Sequence, residues 1–123
     1  MSKNLEDDFG PAVPVLVSRD VKESLEFFER LGITSNFMLE DGSYGGLTIG
    51  STSLHFYKDL VKEHAEWSSC RINMESLDEI YARCKDQGVV HPNGDLSEKP
   101  WGTREFAILD ESGVCYTFVL RLD

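Results

Sequence analysis

Residues 98–113 read EKPWGTREFAILDESG and set Trp101 between Pro100 and Gly102, in a polar stretch just ahead of an apolar run. A core tryptophan ordinarily shelters its indole on a helix or strand, whereas one on a Pro-Gly turn offers a flat ring to something else. Stacking on a flat ligand is therefore the chemistry that Trp101 and Gly102 suggest, with local packing of the ring as the competing reading. The second tryptophan, Trp67, opens the strand-like run WSSCRINM and either lines the same groove or packs locally.

Covalent and acid–base chemistry is thinly represented. Cys70, Cys84 and Cys115 are odd in number, widely spaced and set among apolar neighbours. That pattern points to reduced thiols rather than to a disulfide framework or a zinc site. None has an obvious histidine partner in sequence, so buried small hydrophobes are the plainer reading. Glu40 and Asp41 form an acidic pair in a turn, EDGS, suited to meeting a cationic ligand or to simple exposure. Without a metal or a defined pocket such pairs cannot be assigned to proton transfer. There is no P-loop, dinucleotide glycine fingerprint or nucleophile elbow, and YGGLTIG reads as a strand bend because no helix follows it. His64 and His91 sit in polar linker and turn contexts and read as solvated. His55, within TSLHFYK, reads as a hydrogen-bonded strand histidine, although alternation also allows it to face the open side of a sheet.

The whole chain of 123 residues suffices for one domain with a modest core. Twenty-two acids against 12 bases give a formal charge of −10. Nucleic-acid binding needs the opposite balance. A cationic ligand would be steered toward such a chain, and solubility alone is the competing purpose. No apolar run approaches the roughly 20 residues of a membrane helix, and the opening MSKNLEDDFG carries no signal-peptide stretch. A cytoplasmic protein is expected.

The elements that must carry these residues repeat. Asp20 opens DVKESLEFFERLG and Ser76 opens SLDEIYARCKDQG, each with a glutamate three residues on, a helical apolar stripe and a closing glycine. A constant offset of 56 residues separates Asp20 from Ser76, Glu23 from Glu79 and Gly32 from Gly88. Before the helices lie AVPVLVS and WSSCRINM. After the first come ITSNFML, YGGLTI and TSLHFY, and after the second VVH, the long turn PNGDLSEKPWG, TREFAIL and VCYTFVLRL. Each half reads as strand, helix and three strands. The expectation is one α+β domain over 1–123, with modules at 12–57 and 67–122 and a linker at 58–66. A half of this size is too small to stand alone, so two must pack together.

A βαβββ repeat of this size, with AVPVLVSRDV, EFFERLG, SLDEIYARCKDQGV and above all PWGTREFAILDESG, resembles the vicinal oxygen chelate (glyoxalase-like) superfamily. Within it, the chain is most similar to the bleomycin resistance proteins, over about Ala12 to Val119. The resemblance implies a small cytosolic homodimer that holds a bleomycin-family antibiotic, metal-free or copper-bound, in clefts at the subunit interface without modifying it. It implies that Phe37 and Tyr44 offer aromatic contact beside Trp101, and that the first strand is exchanged between subunits, with Pro14 placed at the hinge. Enzymes of the superfamily hold a divalent ion on four strand positions, which map here to Val13, His55, Ser69 and Thr117. Valine cannot ligate and the two hydroxyls are poor ligands, so no metal or cofactor is expected. A divergent metal-dependent lyase, dioxygenase or thiol transferase is the alternative.

Overall fold

The computed structural model describes residues 4–123, so the first three residues of the polar opening stretch lie outside it. A short 3-10 helix at Leu5–Asp8 precedes β1 (Val15–Ser18), α1 (Val21–Glu29), β2 (Asn36–Met38), β3 (Tyr44–Ile49) and β4 (Thr52–Lys58). Then follow α2 (Lys62–Glu66), β5 (Ser69–Asn73), α3 (Leu77–Asp86), β6 (Ser97–Lys99), β7 (Thr103–Leu109) and β8 (Cys115–Arg121). The strands form two four-stranded sheets, ordered β1-β4-β3-β2 and β5-β8-β7-β6. In each, the first strand lies parallel to the last and the other pairings are antiparallel. Parallel neighbours need a long crossover, which the helix and the intervening strands supply. The result is an α+β fold of two similar halves.

Local signals explain the helices. Asp20 accepts the Glu23 N–H at 3.2 Å at the start of α1. Ser76 occupies the same place before α3, but its hydroxyl makes no capping bond. Glu23 and Glu79 turn to Arg19 and Arg83, four residues away from each. Both helices are followed by a glycine at positive φ, Gly32 at +91° and Gly88 at +70°.

The halves share a core. Phe28 of α1 is fully buried, edge-on to Tyr116 of β8 at 5.1 Å and 6.1 Å from Phe56 of β4. One ring thus bridges the two sheets, and neither sheet encloses its own apolar face. Polar links cross the same junction: Ser24 donates to Glu111 at 2.6 Å, and the Arg19 N–H to the Ser112 hydroxyl at 3.1 Å. The buried Asp110 closes the DESG turn by accepting the N–H groups of Ser112, Gly113 and Val114 and the Tyr116 hydroxyl.

Three stretches depart from the sequence reading. VVH forms only one isolated bridge, Val90 to Ile108, and the third strand of that half is Ser97–Lys99 inside the expected long turn. Pro92 has no ladder donor, and the chain instead wraps Ala107, which accepts from His91 and donates to Gly94. A Cβ at Gly94 would stand 2.7 Å from that of Ala107. The linker contains α2, started by Asp59, which accepts the Val61 N–H at 2.9 Å and holds the His64 ring at 2.7 Å. Trp67 caps the end of α2 instead of opening β5, its N–H bonding Glu63 O at 2.9 Å.

Candidate functional site

The first group of candidate residues lies on the first sheet, on the face turned away from α1. Alternation along β4 sends Leu54 and Phe56 into the core and His55 to the opposite face. Register places Gly46 of β3 beside His55 and beside Phe37 of β2. The absent side chain at Gly46 leaves the space that the rings fill, since a Cβ there would meet His55 Cδ2 at 2.6 Å and Phe37 Cε1 at 2.7 Å. Tyr44–Ile49 is an unbroken strand with a gap in its row of side chains at Gly46, and Gly50 lies in the turn that follows it. Phe37 and Tyr44 both stand edge-on to His55, each 5.4 Å away. The Tyr44 hydroxyl and His55 Nδ1 are 2.6 Å apart. Phe37 remains 47% exposed, so the cluster presents an aromatic wall to solvent.

The second group lies on the other sheet. Trp101 occupies the tight turn between β6 and β7, with Gly102 at φ +91°, and is 64% exposed. Its indole Nε1 donates to Glu105 Oε2 at 3.4 Å. Glu105 is only 5% exposed although it points away from the apolar core. It accepts both Arg71 nitrogens, at 2.9 and 3.3 Å, and the Thr103 hydroxyl at 2.7 Å. The Arg71 guanidinium holds the Glu105 carboxyl below its ordinary range, and burial works against that. Among the described residues no ring contact or hydrogen bond joins this group to the Phe37 cluster.

The remaining candidates fall elsewhere. Asp41 shapes its own turn, one oxygen accepting from the Ser43 N–H and hydroxyl, and those bonds lower its pKa. Glu40 is exposed on the same turn. Trp67 is 79% exposed at the end of α2, near the His64 ring at 6.3 Å. His64 and His91 both have partners rather than only solvent: His64 the Asp59 carboxylate, and His91 the Asn93 N–H. Cys70 and Cys84 are buried and Cys115 is partly so. Burial raises all three thiols, that of Cys84 to about 11, which keeps them protonated and poorly nucleophilic.

No protein-family model matches the chain. It is 27% identical, over 129 aligned positions, to the bleomycin resistance protein of Geobacillus stearothermophilus, covering 90% of this chain and 96% of that one. It superposes with a TM-score of 0.76 and 26% identity on a bleomycin-binding protein solved with bleomycin, covering 92% of this chain and 99% of the other. The bleomycin-binding protein of bleomycin-producing Streptomyces verticillus, solved with copper(II)-bleomycin, gives 0.69 and 27%, over 96% and 97% of the two chains. In sequence and fold the chain is similar to bleomycin-binding proteins.

The donor set at the four mapped strand positions decides whether a divalent ion could be held there. Val13 precedes β1 and has no donor, and Ser69 and Thr117 bring only hydroxyls. His55 is engaged by Tyr44 and lies opposite Val15 across the ladder, while Thr117 lies opposite Arg71. Among the described residues no three His, Cys, Asp or Glu converge on one point. One imidazole, with a valine and two hydroxyls at the other positions, does not fit a divalent ion. What sequence reasoning missed is Glu105 with its partners Arg71 and Thr103. Alternation in TREFAIL does put Thr103, Glu105 and Ala107 on one face, but nothing local points to Arg71, 34 residues away.

Proposed function

We propose that the chain binds and sequesters a bleomycin-type glycopeptide antibiotic, metal-free or copper-bound, without modifying it. The observation that carries this reading is Trp101: a largely exposed indole on a tight turn, hydrogen-bonded to a buried carboxylate. Its chain aligns nearly end to end with a protein solved with bleomycin. A flat aromatic ligand stacks on such a ring. Phe37 and Tyr44 supply further aromatic surface, and Gly102 keeps the turn tight. Glu40 and Asp41 add negative charge for a cationic drug, and Trp67 adds a second exposed ring. The unsuitable donor set at Val13, His55, Ser69 and Thr117 disfavours a metal-dependent enzyme.

The working form is a cytoplasmic homodimer built on the modules 12–57 and 67–122 joined by 58–66. Support comes from apolar side chains left in water on one chain, Val13, Val15, Tyr57 and Leu122 among them, each at least 40% exposed. Pro14 stands just before β1, an edge strand that pairs with β4 alone among the described residues, where the chain can depart toward a partner. Among the described residues no helix is long and apolar enough to cross a membrane. Titration with metal-free and with copper-loaded bleomycin, followed by intrinsic tryptophan fluorescence, tests the reading. Saturable quenching or enhancement, with the drug recovered at unchanged mass, is expected. A flat titration, or recovery of a modified drug, overturns it.

A further inference from the structure

We infer that Glu105 is a positioning residue for Trp101, fixing the plane of the indole before any ligand arrives, an assignment that rests on the drug-binding function proposed above. A tryptophan on an exposed turn samples several rotamers, and immobilising a side chain on binding costs affinity. Here one rotamer is already held, by the bond from Nε1 to Glu105 Oε2. Glu105 in turn is fixed from two sides: Arg71 of β5 takes both of its oxygens, and Thr103 of β7 takes Oε2. A rigid path therefore runs from β5 through β7 to the turn.

The same contacts exclude the simpler role of an ion partner for a cationic drug. Both Glu105 oxygens are occupied, the residue is 5% exposed, and its charge is neutralised by a guanidinium that itself reaches solvent. An incoming cation meets Arg71 before it meets Glu105. The carboxylate acts on the ligand through the ring.

The test uses the intact chain. Time-resolved anisotropy of Trp101, in a Trp67→Phe background without drug, reads the ring directly. Glu105→Ala should increase fast local depolarisation, and Glu105→Gln, which keeps an acceptor oxygen, should restore part of the order. Bleomycin affinity should fall about threefold to tenfold in Glu105→Ala, the loss of one neutralised hydrogen bond. In a Trp101→Phe background, which lacks the indole N–H, the same substitution should change affinity less than about twofold. Unchanged anisotropy in both Glu105 variants overturns the assignment. An equal affinity loss with and without the indole N–H also overturns it, because Glu105 then acts directly or through the fold. If the parent binds no bleomycin, the functional reading falls, and the anisotropy alone decides whether Glu105 holds the ring. If Glu105→Ala fails to fold, Glu105→Gln carries both measurements, with the same directions expected.

Discussion

Replacing Trp101 by alanine separates stacking from packing more cleanly than any other change in this chain. The ring is 64% exposed, so truncation returns little apolar surface to water. Its one hydrogen bond, at 3.4 Å to Glu105, is long and contributes no more than about 0.5–1.5 kcal/mol. Glu105 keeps Arg71 and Thr103 when the indole goes, so no buried charge is stranded. The melting temperature should therefore drop by only a few degrees. Affinity should suffer more. Stacking of a flat ring on an aromatic side chain is worth about 1–3 kcal/mol, which is roughly fivefold to 150-fold in dissociation constant. Calorimetric titration with metal-free bleomycin, with thermal melts of the same samples, reads both quantities. Trp67→Ala serves as the comparison, since that residue is more exposed still and makes only a glancing contact with His64. Its effect on affinity should be smaller. A Trp101→Ala protein that binds like the parent but melts far lower would refute the reasoning and make the ring a packing element.

Three further outcomes are expected. Gly46→Ala should force apart Phe37 and His55, because the new Cβ would lie under 3 Å from both rings; a loss of about 1–3 kcal/mol in stability by denaturant titration is expected, together with weaker drug binding, and a neutral variant would show that the cluster is loose. Glu111→Gln should stabilise the chain at pH 7–8 by up to about 1 kcal/mol once solvent screening is counted, because burial and the neighbouring Asp110 and Glu23 raise the Glu111 carboxyl and its Oε2 has no partner. A raised carboxyl costs stability above its folded-state pKa and ceases to as pH falls through it, so the gain in melting temperature should shrink on acidification; a gain that grows instead would reverse the assignment. Drug affinity should weaken with added salt, since attraction between exposed charges is screened beyond roughly 8–10 Å at physiological ionic strength; titrations that give one dissociation constant at all salt concentrations would reduce the −10 charge to a solubility device.

How much of this was legible beforehand depended on how local the cause was. The α1 cap at Asp20, the closing glycines at 32 and 88 and the alternation of β4 are set by neighbours within a few residues, and they read directly from the sequence. β6 could not be read, because Ser97-Glu98-Lys99 carries no apolar alternation and becomes a strand only by pairing with Thr103–Glu105 across the Trp101 turn. The place of Trp67 is hidden for a similar reason: the α2 turn that it closes is started by Asp59, in a segment that reads as plain polar linker. Gly46 was visible as an oddity, but its purpose lies in two rings from neighbouring strands. Glu105 is the extreme case, since its meaning comes from Arg71 on a strand brought alongside through β8.

The charge pattern then divides attraction from contact. The chain carries ten more acids than bases, yet the one buried carboxylate beside the stacking ring is neutralised by Arg71. A bare carboxylate there would draw a cationic drug group toward the sheet and compete with stacking on Trp101. On the proposed reading, with the pair closed, long-range attraction is left to exposed acids such as Glu40, while aromatic surface makes the contact. Electrostatic steering acts on association and buried contact on dissociation. Salt should therefore slow drug association with little change in the dissociation rate, whereas Trp101→Ala should speed dissociation with little change in association. Stopped-flow fluorescence can follow the salt series through the native tryptophans, and competition with labelled drug can follow the variant. If salt alters chiefly the dissociation rate, the exposed acids touch the bound drug, and the separation of attraction from contact is wrong.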